Sequence, residues 1–426
     1  MRQQQHKKNT RSITATKAFL IASMGAGLAA ATWMLRKRAI DLWLPSYLLH
    51  SVKRRPWPPT QHVHLLLCIA DHYEPTNGNV PPDVALRRVD HWVHEYPRLF
   101  GGLRDSDGRT PQHTFFYPLE LYSPNQVHAL AQLCRAGFGE VEIHLHHDRD
   151  TATALRQHLL AYKKLLASRH GLLSQNRRTG ETVYAFIHGD WALDNSLPDG
   201  SACGVTNELH VLSQTGCYAD FTLPAVPSRA QTRKINSIYY ATGNPRRPRA
   251  HDRGIDVGAG PARDALMLIQ GPLVLDWRRR CWGLMPHIEN GCIQYTQPAH
   301  IDRLPLWLKA RVQIPQRPDW FFVKLHTHGA PEDNQRVLLA EPMVQFHRDL
   351  QRLTSHDTNF HFHYVTARQM YNLARAAEAG WQGSVEDARD FALIKNPRFA
   401  IPQEDTIMPQ QHSGRVVGEL GRRLIF

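Results

Sequence analysis

The strongest constraint on the fold is a series of short apolar segments that alternate with segments of helical character. The first, Val63 to Ala70 ("VHLLLCIA"), is continuously apolar, as expected of a strand buried on both faces of a parallel sheet. Seven further segments have strand character: HTFFYPL, EVEIHLH, TVYAFIHG, CYADFTL, ALMLIQGPLVL, WFFVKLHTHG and FHFHYVT. The alternation predicts an α/β fold built as a parallel (β/α) barrel of seven or eight strands, regular or distorted. An open doubly wound sheet is the alternative.

Helix signals lie between these segments. Ser123, Pro124 and Gln126 supply an N-cap, a proline at the first helical position and a capping-box glutamine, and Gly137 ends the helix. The segment from Arg229 to Arg263 is rich in Arg, Gly and Pro and predicts a long loop. We therefore expect the barrel over residues 61–394 and a C-terminal extension over residues 395–426.

The positive charge of the chain is concentrated at its N-terminus. Residues 1–60 contain 11 of the 51 Lys and Arg residues but one of the 38 acidic residues, Asp41. The remaining 40 basic and 37 acidic residues give the rest of the chain a formal charge of only +3. Because this part also has no nucleic-acid-binding motif, no nucleic-acid partner is expected.

An uncharged segment near the N-terminus predicts a membrane anchor. Ala18 to Leu35 ("AFLIASMGAGLAAATWML") has 18 residues without a charge, a length just sufficient to cross a bilayer, and basic residues flank it on both sides. We predict a basic arm over residues 1–17, a transmembrane helix over 18–35 and a basic, Pro-rich linker over 36–60. This makes the chain a single-pass protein of the cell membrane with its orientation open. A cleaved secretory signal and an amphipathic or disordered arm are the alternatives.

Ionisable and polar residues follow nearly every predicted strand. Ligands bind at the C-terminal ends of the strands in barrels and open α/β sheets, so these residues are expected to share one edge of the sheet. The candidate residues are Asp71, His72, His144, His146, His147, Asp148, His188, Asp190, Trp191, Asp194, His326 and His328. Histidines with purely structural roles would instead be spread along helices and loops.

The third strand carries the densest group of these residues, "EIHLHHD". Strand alternation places His144 and His146 on one face together with Asp148, whereas His147 leaves that face unless the strand ends before it. Imidazoles with a carboxylate suit Zn²⁺ or a similar divalent cation, and Asp71 would supply a third ligand or a general base. The alternative is a group of exposed histidines near a strand end.

The remaining candidates suit substrate binding and proton transfer. His326 and His328 form a second His-x-His pair, and either could donate a proton to a leaving group, because histidine titrates near neutral pH. Together, His188, Asp190, Trp191 and Asp194 are the predicted substrate-binding residues, with the indole of Trp191 placed to stack on a sugar. The alternatives are hydrogen-bonded structural histidines and a tryptophan that packs a loop.

The order of these motifs resembles that of the NodB-type polysaccharide deacetylases, in the glycoside hydrolase/deacetylase barrel superfamily. The resemblance runs from Val63 to Thr366 and rests on "CIADHYEP", "EVEIHLHHD", "HGDWALDNS" and "KLHTHG", each of which departs from the family pattern as a divergent member would. It implies that Asp71 is the catalytic base and that His72, or Asp71 itself, binds the metal. His144 would be the next ligand, and the further ligand would be His146, His147 or Asp148.

The resemblance also implies an activity. A metal-activated water would attack an acetamide carbonyl, and His326 or His328 would protonate the departing amine. The expected substrate is a cell-surface polysaccharide or exopolysaccharide, or a lipid-linked glycan. A glycoside hydrolase that uses Asp71 with Asp190 or Asp194, and a non-catalytic carbohydrate-binding or assembly protein, are the alternatives.

Overall fold

The computed structural model describes residues 24–25, 29–53, 62–260, 265–281, 283 and 285–400. The strands are β1 (Val63–His72), β2 (His113–Pro118), β3 (Gly139–Leu145), β4 (Ser174–Asn176), β5 (Thr182–His188), β6 (Cys217–Asp220), β7 (Ile238–Ala241), β8 (Ile255–Asp256), β9 (Leu266–Ile269), β10 (Val274–Cys281), β11 (Met285–Glu289), β12 (Trp320–Thr327), β13 (Phe360–Tyr364) and β14 (Leu393–Lys395).

Residues 29–37 are also helical. The α-helices that follow are α1 (Ile40–Lys53), α2 (Pro82–Phe100), α3 (Pro124–Leu133), α4 (Ala152–His170), α5 (Glu208–Thr215), α6 (Leu304–Ala310), α7 (Glu332–Leu338), α8 (Glu341–His356), α9 (Ala367–Glu378) and α10 (Val385–Ala388).

A mostly parallel sheet forms the centre of the protein. Its strands follow the order β12-β1-β2-β3-β5-β6-β9-β7-β8, and β13 pairs with the first half of β1. The strands from β12 to β9 pair in parallel, whereas β7 runs antiparallel to both β9 and β8. The C-terminal ends of β1, β3, β5 and β12 therefore meet at one edge of the sheet, where the candidate residues were expected.

Both faces of the sheet are covered, which explains the continuous apolar character of β1. Leu65 and Leu67 face a core that includes Trp92 of α2, whereas Leu66 and Cys68 face the opposite core. In that second core α9 packs with Trp43 of α1. The α/β class predicted from the sequence is confirmed.

Three details differ from the predicted architecture. The described strands form an open path rather than a closed barrel, because β12 and β8 end the order and do not pair with each other. The segment from Arg229 to Arg263, predicted as a loop, contains β7 and β8. The predicted linker over residues 36–60 contains α1.

Half of the predicted transmembrane helix falls on residues 18–23 and 26–28, which lie outside the described residues. In the part of the chain that the structure describes, no helix combines the length and the apolar character needed to cross a membrane.

Candidate metal centre

A carboxylate stands at the centre of a group of imidazoles at the C-terminal edge of the sheet. The Oε1 atom of Glu74, in the turn after β1, lies 3.2 Å from Nε2 of His144 and 3.6 Å from Nε2 of His146. Nε2 of His328, which follows β12, lies 4.0 Å from the same oxygen. Residues that follow three different strands thus converge here. We call Glu74, His72, His144, His146 and His328 the Glu74 cluster.

The second ring nitrogen of two of these histidines is held by an acceptor. Nδ1 of His144 lies 2.8 Å from the carbonyl oxygen of Ile187, and Nδ1 of His146 lies 2.5 Å from Oε1 of Glu120. A carbonyl and a carboxylate oxygen can only accept, so Nδ1 is the donor in each contact, and a neutral ring held in this way presents its lone pair at Nε2. Metal-binding histidines are commonly oriented in this way.

These lone pairs face the carboxylate oxygen of Glu74, which is also an electron donor. The arrangement needs a positive charge between the groups, either a proton on a ring or a metal ion. The distances from Glu74 to His144 and His146 bracket the spacing of about 3.3 Å between ligand atoms that tetrahedral geometry gives for zinc bonds of about 2.0 Å. The donor set therefore fits a divalent cation.

His72 completes the cluster from the end of β1. Its ring centroid lies 5.0 Å from that of His144 and 4.7 Å from that of His328. Its Nε2 atom is buried and has no hydrogen-bond partner among the described residues. Ligand atoms of His72, Glu74 and His144 all lie within 4.8 Å of one another.

Burial and the neighbouring charges set the protonation of the cluster. Burial alone would raise the pKa of Glu74, but the hydrogen bond with His144 and the nearby imidazoles hold that pKa at about 2. Burial, together with the neighbouring imidazoles, lowers the pKa of His72 well below its usual value, and burial likewise lowers the pKa of His328. An ionised carboxylate beside neutral imidazoles is the state that binds a divalent cation.

A cavity of about 340 Å³ adjoins the Glu74 cluster. Trp191 and His328 line it, and their ring centroids are 5.8 Å apart. The other lining residues are Arg38, Val226, Pro227, His287, Ile288, Asn290, Cys292, Gln294, Gln297 and His326. An aromatic ring with amide and imidazole groups is a surface suited to a sugar, which presents apolar faces and hydroxyl groups.

The loop after β5 holds Trp191 in a strained backbone conformation. Asp190 and Trp191 have φ angles of 51° and 56°, in the left-handed region that residues with a side chain rarely adopt. Such strain is found more often at functional sites than elsewhere. Burial alone would lower the pKa of His146, but the hydrogen bond with Glu120 and the charges of Glu120, Glu74 and the exposed Asp190 raise that pKa above its usual value.

Two of the predicted metal ligands lie elsewhere. β3 ends at Leu145, so strand alternation does not extend through the residues that follow. His147 turns away from Glu74 and contacts Glu208, with 3.0 Å between Nε2 and Oε1. Asp148 lies on the surface, where it accepts the backbone N–H of Ala202 at 2.7 Å.

The carboxylate of Asp71, predicted as the base, has two partners of its own. It accepts a hydrogen bond from Nε2 of His113 at 2.7 Å and from the backbone N–H of Gly329 at 2.6 Å. The second bond anchors the chain directly after His328. Asp71 therefore supports the segment that carries His328, and its carboxylate is not part of the Glu74 cluster.

The other candidates divide between the cavity and the interior. His326 lines the cavity and its Nδ1 atom is buried without a hydrogen-bond partner in the described part of the chain. His188 is buried, with Nε2 at 3.3 Å from Oε1 of Glu208. Asp194 is buried and accepts the backbone N–H of Ala250 at 2.5 Å, which holds two loops together.

Three carboxylates of the two histidine-rich groups at this edge were not among the predicted site residues. Glu74 and Glu120 each follow a strand closely, the same signal that identified the histidines. Glu208 begins α5 and has no such signal, because the fold alone brings this helix end to the strand edge.

We also compared the chain with known proteins. No family model matches it, and neither the curated proteins nor the solved structures contain a match.

Proposed function

We propose that the protein is a metal-dependent hydrolase that removes N-acetyl groups from a polysaccharide. The observation that carries the proposal is the convergence of imidazole Nε2 atoms with fixed Nδ1 partners on one carboxylate, next to a cavity with an indole on its wall. The order of strand-end motifs, which resembles that of the NodB-type deacetylases, favours this reaction among metal-dependent hydrolyses.

Glu74, His144, His146 and His72 would hold the cation, with Zn²⁺ the best match to this donor set. When bound, the ion supplies Lewis acidity toward a carbonyl oxygen and lowers the pKa of water. Glu120 and the carbonyl of Ile187 fix the two imidazoles of β3, so that their lone pairs already point to one position.

The cavity residues bind the sugar and transfer protons. Trp191 stacks on the sugar ring, and the side chains of Asn290, Gln294 and Gln297 bind its hydroxyl groups. In the reaction, water adds to the amide carbonyl, the C–N bond breaks, and acetate leaves the free amine. The exposed carboxylate of Asp190, next to Trp191, would accept the proton of the water. His328, whose pKa is lowered by burial, would take up that proton and give it to the nitrogen as it departs.

The proposal extends to the shape of the sheet. Lys324 of β12 donates to the carbonyl oxygen of Phe221 at 2.7 Å, directly after β6, although four strands lie between β12 and β6 in the sheet order. The free edge of β12 also pairs with Cys292. Both contacts support a distorted barrel, with an N-terminal membrane anchor that would bring the site to a cell-surface or lipid-linked glycan.

Glycoside hydrolysis has less support. That reaction needs two carboxyl groups on either side of the sugar bond. Asp71 and Asp194 are buried with backbone partners, which leaves Asp190 as the exposed carboxylate of the predicted set.

The test uses the full chain, because Trp43 of α1 belongs to the core. Purified protein is incubated with Zn²⁺ and oligomers of N-acetylglucosamine, and released acetate and new reducing ends are measured separately. We expect acetate without reducing ends, and its loss in Glu74→Gln. Glu341→Gln, at a surface position, should keep the wild-type rate. Reducing ends without acetate would replace the proposal by glycoside hydrolysis.

A further inference from the structure

A second group of metal-ligating side chains lies buried next to the Glu74 cluster. Oε1 of Glu208 lies 3.0 Å from Nε2 of His147 and 3.3 Å from Nε2 of His188. Its other oxygen, Oε2, lies 3.6 Å from Sγ of Cys203. Ligand atoms of these four residues all lie within 4.8 Å of one another, and we call them the Glu208 cluster.

The imidazoles of this group are oriented as in the Glu74 cluster. Nδ1 of His188 donates to the carbonyl oxygen of Gly189 at 2.5 Å, so a neutral ring presents its lone pair at Nε2. That Nε2 atom is fully buried and has no hydrogen-bond partner among the residues described. Nδ1 of His147 lies 3.3 Å from Oδ2 of Asp150.

Electron-donating atoms thus converge in a place that water does not reach. Glu208 and His188 have no exposed side-chain surface, and the side chain of His147 is 4% exposed. Removal of such groups from water costs free energy unless a positive charge lies among them. Either protons on the imidazoles or a metal ion can supply that charge.

We infer that the Glu208 cluster is a structural zinc site with His147, His188, Cys203 and Glu208 as its ligands. Two imidazoles, a thiolate and a carboxylate form a complete tetrahedral zinc set, and the thiolate disfavours Mg²⁺ and Ca²⁺. The bound ion displaces the thiol proton of Cys203. Full burial and four protein ligands leave no position for a substrate, so the site stabilises the fold.

The zinc site joins parts of the chain that are far apart in sequence. His147 follows β3, His188 ends β5, and Glu208 begins α5. Cys203 lies in the loop between β5 and α5, and its carbonyl oxygen accepts the backbone N–H of Asp150 at 2.9 Å.

The position of Cys203 also depends on its neighbour, Gly204. This glycine has a φ of 91°, and a Cβ there would lie 2.7 Å from the backbone nitrogen of Asp150. The zinc ion would hold the loop that carries Trp191 against the sheet.

Cobalt substitution tests the site independently of the proposed function. The full chain is stripped with a chelator and titrated with Co²⁺, and a thiolate-to-cobalt charge-transfer band in the near ultraviolet is recorded. The Glu74 cluster contains no sulfur, although Cys292 lines the cavity beside it, so the Cys203→Ser variant is what assigns the band to Cys203. We expect the band in the wild type and in Glu74→Gln, and its loss in Cys203→Ser.

Zinc content and thermal unfolding provide a second measurement. Zinc bound per chain, from elemental analysis after dialysis, should fall by one ion in Cys203→Ser. Cys217→Ser, which changes another buried thiol, should keep the wild-type content. Chelation should lower the Tm of the wild type more than that of Cys203→Ser. A wild type without the band, and with the same zinc content as Cys203→Ser, would show a buried imidazolium–carboxylate pair and overturn the inference.

Discussion

The Glu74 and Glu208 clusters use the same arrangement in different surroundings. In each, a carboxylate oxygen faces two imidazole Nε2 atoms whose Nδ1 atoms lie beside an acceptor. The Glu74 cluster adjoins an open cavity through His328, and its set of ligand atoms contains no sulfur. The Glu208 cluster is buried and includes the thiol of Cys203.

The end of β3 contributes residues to both clusters. His146 and His147 are neighbours in sequence, and the end of β3 sends one ring to each cluster. The Glu74 cluster adjoins the cavity and is the candidate catalytic site, whereas the buried Glu208 cluster is the candidate structural site. Three substitutions directed at the Glu74 cluster test this comparison, and a fourth concerns a buried imidazole outside both clusters.

The largest effect is expected from His144→Ala. Loss of this ligand should remove the ion of the Glu74 cluster and lower acetate release more than about 10³-fold, as for the loss of an essential catalytic group. The thiolate-to-cobalt band should remain. The exposed ring of His94 provides the control, since His94→Ala should change neither reading. Full turnover by His144→Ala would remove this residue from the mechanism.

His328→Gln should separate proton transfer from metal binding. We expect kcat to fall about 10²–10⁴-fold, the usual contribution of a general acid, with the zinc content unchanged. Rate measurements at saturating oligosaccharide, together with elemental analysis, check both parts. Loss of zinc along with the rate would make His328 a ligand instead of the proton donor.

Gly189→Ala should disturb the Glu74 cluster more than the Glu208 cluster. A Cβ at this position would overlap the ring of His146 and lie 2.8 Å from its Cα atom, whereas the backbone carbonyl that orients His188 would remain. We expect metal affinity at the Glu74 cluster to fall about 10–100-fold, the size seen when an orienting contact is lost. Gly102→Ala, with open space around the new methyl group, is the matched control. An unchanged affinity would mean that the ring position is not critical.

The smallest expected effect is on the pH dependence of stability, and it concerns His347, a buried histidine outside both clusters. Burial lowers the pKa of His347 to about 3, whereas contacts with Asp150 and Glu208 overcome the effect of burial and raise the pKa of His147 to about 9. His347 thus stays neutral in the folded state while its unfolded form gains a proton below about pH 6.5. Its contribution to stability is present above that pH and is lost as the pH falls toward 3.

His347→Gln should remove this dependence. Between pH 6.5 and 4 the free energy of unfolding of the wild type should fall more steeply than that of the variant, by up to about 1.4 kcal/mol per pH unit. Urea unfolding at several pH values measures the difference. Parallel curves for the two proteins would show that His347 is already protonated in the folded state.

Much of the fold could be predicted from the sequence, because a strand covered on both faces must be apolar along its length. β1, β5 and β12 are such strands, and the predicted segments contain them. β7 was missed, since a four-residue antiparallel strand inside a segment rich in Arg, Gly and Pro carries too little pattern. The sequence left a barrel and an open sheet as alternatives, because the pairing of the sheet edges depends on contacts between distant segments.

Part of the candidate site could also be predicted from the strand pattern. Parallel strands bring their C-terminal ends together, and the structure brings His72, His144 and His146 to one place. His146 and His147 belong to different clusters because β3 ends just before them, and the sequence does not give this strand end to within one residue. Glu208 comes from a helix, and its approach to the strand edge is set by the tertiary fold.

The central claim is that the Glu74 cluster holds the cation that the reaction needs. The most direct measurement is acetate release from N-acetylglucosamine oligomers by chelated full-length protein during titration with Zn²⁺. We predict no release before zinc is added and recovery on reloading in the wild type, without recovery in Glu74→Gln. Equal acetate release by the wild type with and without zinc would contradict the claim.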